Sequence, residues 1–145
     1  MTDKFILPVF WALVGVFILV AIAIAIAMLF IPPEWEMALS PWIVIIPTTV
    51  IFFLLGLTLL ILVARASIGE TFKKFLILTG ASTVGFIVSF ILHNLISGLF
   101  SQWFGGDEPF FFMMAVFVCP IAYLVGTVGS IVLIIRRKIY KTSTL

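Results

Sequence analysis

The chain has 145 residues, of which 64% are hydrophobic and 10% charged, and its mean hydropathy is +1.40. A water-soluble domain of that composition lacks the polar surface to cover itself, so lipid is the expected solvent. The net charge is +2 with basic residues scattered at segment ends, which argues against nucleic acid as a partner, and the lone Cys119 forbids an internal disulfide.

Met1 to Leu7 carries Asp3 and Lys4 and leads into an apolar run from Pro8 to Ile31. The run exceeds the ~20 residues needed to span a bilayer and is too long for a signal-peptide core of about 7–15. Ala21, Ala23, Ala25 and Ala27 imitate a cleavage site, but the chain begins at Met1 and the series is read as part of a span. The alternation there also has strand period, yet an isolated strand would leave its backbone unsatisfied in lipid. Helix 1 (8–31) is expected to pack or face lipid, its alanines admitting a close neighbour.

Pro32 and Pro33 stop helix 1. After Glu34, Trp35 and Glu36, Ser40 and Pro41 read as the N-cap and first position of helix 2 (41–64). Pro47 should bend it, with Thr48 and Thr49 placed to bond nearby backbone. The next loop holds Arg65, Lys73 and Lys74, and Ser67-Ile68-Gly69-Glu70 fits a capping box opening helix 3 (71–100). Asp107 reads as the cap of helix 4 (108–135), with Pro109 in its first turn, and Arg136, Arg137, Lys138 and Lys141 follow.

Every Lys and Arg falls in the N-terminal tail, the middle loop or the C-terminal tail, while the other two loops hold only Glu34, Glu36, Asp107 and Glu108. The positive-inside rule then puts both termini in the cytoplasm and both acidic loops outside, with Trp35, Trp42 and Trp103 at the outer boundary. The expected fold is all-α: a polytopic membrane protein whose four transmembrane helices form one up-down antiparallel bundle over 1–145, in the cytoplasmic or plasma membrane.

In helix 3, Ala81, Gly85, Ser89, His93 and Ser97 recur at every fourth residue as a small, polar stripe. His93-Asn94 is a strongly polar pair in an apolar run, about 10 Å from the outer end at ~1.5 Å per residue. An ionisable residue inside a membrane is a functional candidate by default; the competing reading is a neutral histidine bonded to a serine or carbonyl on a neighbouring helix. Haem held between two histidines would need a second subunit, since there is no other His.

Helix 4 offers a matching face of Cys119, Tyr123, Thr127 and Ser130 beside Gly126 and Gly129, and Pro120 frees a carbonyl near Val116, at the depth expected for His93. Helices 3 and 4 should therefore pack polar face to polar face. One reading is small-residue packing through Ala81, Gly85, Gly126 and Gly129. The other is a polar cavity open to the outside, with His93, Asn94, Ser89, Ser97, Cys119 and Tyr123 as ligand or pathway residues. Cys119, with no cation beside it in sequence, reads as an inert thiol. The outer carboxylates lack EF-hand spacing and read as a solvated face, with no metal site.

No hydrolase, zinc-protease, redox or nucleotide-binding motif occurs, and no carboxylate lies inside a span, so neither catalysis nor a cofactor is expected. Two function classes follow. In the first, the protein is a structural or accessory subunit, or a homo-oligomer, whose partners are the bilayer and other transmembrane helices. In the second, it is a small transporter or channel with a pathway around His93 and Asn94, although no embedded carboxylate or Arg supports ion coupling.

Overall fold

The computed structural model describes the backbone of residues 3–30, 42–104 and 109–142, and the side chains of residues 4–23, 46–99 and 109–137. The helices are α1 (Asp3–Phe30), α2 (Trp42–Arg65), α3 (Glu70–Phe104), α4 (Pro109–Met113) and α5 (Cys119–Thr142), and a π-helical segment, Met114–Val118, joins the last two. Among the described residues there is no strand, and four helices are long and apolar enough to cross a membrane. The expected caps at Ser40, Pro41 and Asp107, the side chains of Trp42 and Trp103, and Trp35 with the four loop carboxylates lie outside the described residues.

Two helix starts differ from the sequence expectation. Helix α1 begins at Asp3 and carries Pro8 inside it. Pro8, the sixth residue of the helix, lacks the N–H that would bond Lys4 O and so removes one bond from the ladder. Helix α3 begins at Glu70, and the Lys73 amide donates to Gly69 O at 3.0 Å. Gly69, not Ser67, is therefore the N-cap, and the capping box does not form. Glu70 instead pairs with Lys74 at 2.7 Å, both side chains exposed.

Helix α3 is the hub, packing against both α2 and α5, while α1 lies mainly on α2. The α2–α3 contact is made by glycines. A Cβ built on Gly56 would lie 2.8 Å from Thr83 Cγ2, and one on Gly80 would lie 2.9 Å from Leu60 Cγ and 3.1 Å from Gly56 O. The α3–α5 contact is as close: a Cβ on Gly126 would meet Thr79 Oγ1 at 2.6 Å and Phe75 O at 2.9 Å, and one on Gly129 would run into the Phe75 ring. Backbones approach this nearly only where a side chain is missing, and in lipid such contact supplies dispersion that burial from water does not.

One apolar core unites all four long helices: Ile6, Phe10, Leu13 and Val14 of α1, Leu59 and Val63 of α2, Ala66 in the loop, Phe72 and Leu76 of α3, and Tyr123 of α5. The α1 members recur at i, i+4, i+7 and i+8, one face of a helix. Of the α1 alanines expected to admit a close neighbour, Ala21 and Ala23 are exposed, while the side chains of Ala25 and Ala27 lie outside the described residues; among the described ones, large side chains of the first half do the packing. The core lies toward the basic end of the molecule. There Lys73 Nζ donates to Ala64 O and Ala66 O, each at 3.2 Å, and so caps the C-terminus of α2 from the first turn of α3. Arg137 of α5 lies 5.0 Å over the Phe72 ring.

Gly126→Ala is expected to lower the melting temperature in detergent, through an overpacking cost of about 1–3 kcal/mol. Gly15, whose Cβ would meet nothing within 4 Å, is the control: Gly15→Ala should be neutral or stabilising by up to ~1 kcal/mol on helix propensity. Equal melting of the two variants would contradict the packing described.

Candidate functional site

The polar side chains of α3 close onto their own helix. Thr79 Oγ1 donates to Phe75 O at 3.0 Å, Ser82 Oγ to Thr79 O at 3.0 Å, Thr83 Oγ1 to Thr79 O at 2.8 Å and Asn94 Nδ2 to Phe90 O at 2.7 Å. Back-bonding of this kind is the local option for short polar side chains where water is absent. His93 is half-buried, with Ser97 Oγ 3.4 Å from its Nδ1 and the Phe112 ring 5.3 Å away, centroid to centroid.

The stripe expected on α3 does not form one face. Ala81 is exposed, Gly85 half-buried, Ser89 buried, His93 and Ser97 half-buried, and Asn94 exposed. The reason is geometric: at 3.6 residues per turn a step of four advances the direction by about 40° beyond a full circle, so the series winds from the outer surface into the packed side. A Cβ on Gly85 would sit 3.4 Å from Cys119 Sγ, ordinary contact rather than close approach.

The face expected on the last span is buried throughout: Cys119 is 6% exposed, Tyr123 4%, Thr127 8% and Ser130 0%. Pro120 explains the segment before it. Having no N–H, it cannot bond the carbonyl four residues back, and the Cys119 amide bonds Met114 O, five residues back, instead. The freed backbone does not stand beside His93 as the sequence suggested. Gly85 lies at the level of Cys119, and His93 lies higher, by Phe112.

A cavity among the described residues lies apart from the His93-Asn94 pair. It measures about 380 Å³ and takes its lining from all four long helices: Phe17 and Ala21, Thr48, Thr49 and Phe52, Ser82, Thr83, Phe86 and Ile87, Cys119, Pro120 and Tyr123, with Val20. Cys119 and Tyr123 are thus the two sequence candidates that line it, and His93, Asn94, Ser89 and Ser97 do not. The rings of Phe17, Phe52 and Tyr123, from three helices, pack with centroids 4.7–6.4 Å apart and divide the cavity from the core. Phe17, Phe52 and Phe86 drew no attention as sequence, because aromatic residues in a span are ordinary; only the meeting of helices singles them out. Below the cavity, Thr127 is the hydroxyl within reach of Tyr123. Tyr123 Oη, Thr127 Oγ1 and Ser130 Oγ are nonetheless all buried without completing hydrogen-bond geometry.

Among the described residues, no group of three or more His, Cys, Asp or Glu side chains is arranged to hold a metal ion. Two substitutions test the polar inventory by thermal melting. Tyr123→Phe removes an unpaired buried hydroxyl and should leave stability unchanged or raise it, since such a group costs about 1–3 kcal/mol. His93→Leu should lower stability by no more than ~1–2 kcal/mol, and His93→Gln less, as intramembrane side-chain bonds are modest. A much larger loss with both His93 variants would reveal a structural role the geometry does not contain. No protein-family model, curated protein or solved structure matches the chain.

Proposed function

We propose that this is an integral membrane protein of four spans, an up-down antiparallel bundle with both termini cytoplasmic, acting as a structural or accessory subunit or as a homo-oligomeric helix-packing protein, without catalysis. The observation that carries this reading is the closure of Thr79, Ser82, Thr83 and Asn94 onto their own helix. Hydroxyls bonded in this way have spent their only proton on the helix and keep acceptor lone pairs alone toward a substrate.

Supporting the antiparallel arrangement are the contact pairs Phe75 with Gly129, Thr79 with Gly126, Gly85 with Cys119 and His93 with Phe112, which rise along one helix as they fall along the other. The orientation rests on Lys4, Arg65, Lys73, Lys74, Arg136 and Arg137 standing at one end. The outward faces suit lipid or partner helices: Phe90, Ile91 and Leu95 of α3, and Ile121, Leu124 and Val128 of α5, are exposed. The rival reading of a pathway at His93 and Asn94 has less support, because neither residue lines the cavity described.

Single cysteines placed near Glu36 and Gly106 in a Cys119→Ala background should react with a membrane-impermeant maleimide from outside intact cells. Reaction only after the cytoplasmic side is opened would reverse the orientation. The subunit reading is tested by particle mass in mild detergent. An assembly larger than one chain is expected, and a monomer that sustains solute flux in liposomes would overturn it.

A further inference from the structure

The cavity lies at one depth in all four spans. Phe17 is thirteen residues from Lys4, Phe52 thirteen from Arg65, Phe86 thirteen from Lys73 and Tyr123 fourteen from Arg137. At ~1.5 Å per residue each is about 20 Å from the basic end. If the basic side chains mark one headgroup layer, that depth falls inside a hydrocarbon core about 30 Å thick.

The lining specifies what enters. Phe17, Phe52, Phe86, Ile87 and Val20 present carbon, and no charged side chain is among the lining residues. Ser82 and Thr83, on the α3 wall, already donate to Thr79 O at 3.0 and 2.8 Å. A water in a cavity needs two to four polar partners, and an apolar cavity of only ~150 Å³ stays dry and admits benzene. At about 380 Å³ this one is within the ~300–1,000 Å³ of pockets that hold small organic ligands. The floor is buried, with Thr83 at 1%, Tyr123 at 4%, Cys119 at 6% and Ile87 at 7%, whereas Phe17 and Phe86 at the rim are 36% and 38% exposed. Ala21, also at the rim, is exposed. The rim therefore faces whatever surrounds the spans.

We propose that the cavity is a lipid site, which takes one hydrocarbon chain of a bilayer phospholipid entering sideways past Phe17, Ala21 and Phe86 to lie on the floor of Ile87, Cys119 and Tyr123. This rests on the reading that the helices span a membrane. A phospholipid tail is already at this depth, and it is the solvent of the site, so occupancy needs no recognition of a headgroup.

The test uses the full chain in phosphatidylcholine vesicles doped with a phosphatidylcholine carrying a diazirine on one acyl chain, photolysed and mapped by peptide mass spectrometry. Adducts are expected at Cys119 and Tyr123 as well as at the outward Leu124 and Val128. Ala21→Phe and Thr49→Phe, two separate ways of filling the cavity, should each lose the floor adducts and keep the outward ones. Floor adducts missing from the unsubstituted chain while Leu124 and Val128 are labelled would overturn the site alone. Floor adducts that persist undiminished in both filled variants would do so too. Absence of adducts at all four positions, with the chain extracted by alkaline carbonate, would overturn the membrane reading and the site with it.

Discussion

Everything else in the packing depends on the close approach of α3 to its two neighbours. Helices surrounded by hydrocarbon gain little by burying apolar side chains against one another, because the lipid tails they leave are equally apolar. What remains is contact density, and that is greatest where glycines let backbones touch: Gly56 and Gly80 between α2 and α3, Gly126 and Gly129 between α3 and α5. The back-bonded hydroxyls serve the same end. Thr79 and Thr83 stand at these contacts, and because they donate to Phe75 O and Thr79 O, neither turns an unmet donor to the partner helix: Thr83 presents its methyl group to Gly56, and Thr79 its already bonded Oγ1 to Gly126. Helix α1, by contrast, joins through Ile6, Phe10, Leu13 and Val14, and no glycine contact holds it.

Pro120 sets the geometry of the last span. A π turn carries more residues than an α turn, so α4 and the segment after it are rotated relative to α5. Within α5 the face of Tyr123, Gly126, Thr127 and Ser130 stays on the packed side. Before the π segment Phe110, Phe112 and Met113 are exposed, and within it Ala115 is the buried position. The level of His93 follows from this arrangement.

The four long apolar helices were legible in the sequence, because an apolar run bounded by charge and proline has, if lipid surrounds it, no other structure that satisfies its backbone. The α5 face was legible too, since Cys119, Tyr123, Thr127 and Ser130 keep to steps of three and four and so stay on one side. The α3 stripe misled for a matching reason: five residues at steps of four alone precess through about 160°. Ala81 consequently points out, while Thr79, Gly80 and Thr83, which carry the contacts, fell between the counted positions. The cavity was not legible at all. Its walls are common residues on four helices, and a gap is a property of how helices diverge, which no single helix encodes.

That divergence can be followed along α3. Near its start the partner glycines at Gly126 and Gly129 leave no room for a Cβ, and at Gly80 the nearest atoms are 2.9 Å away. One and a half turns further, at Gly85, the distance has opened to 3.4 Å, and at Gly98 nothing lies within 4 Å. The cavity, lined on α3 by Ser82, Thr83, Phe86 and Ile87, starts at the level of the Thr83–Gly56 contact and continues beyond it. The short Ala66–Gly69 loop, the Lys73 cap on α2 and Arg137 over Phe72 all draw the helices together at the opposite, basic end. Among the described glycines none makes a close approach beyond Gly80 on α3, and a bundle fastened at one end in this way must either collapse around the Phe17, Phe52 and Tyr123 rings or stay open above them. The three rings pack on one another at 4.7–6.4 Å between centroids, and the cavity stands open beside them.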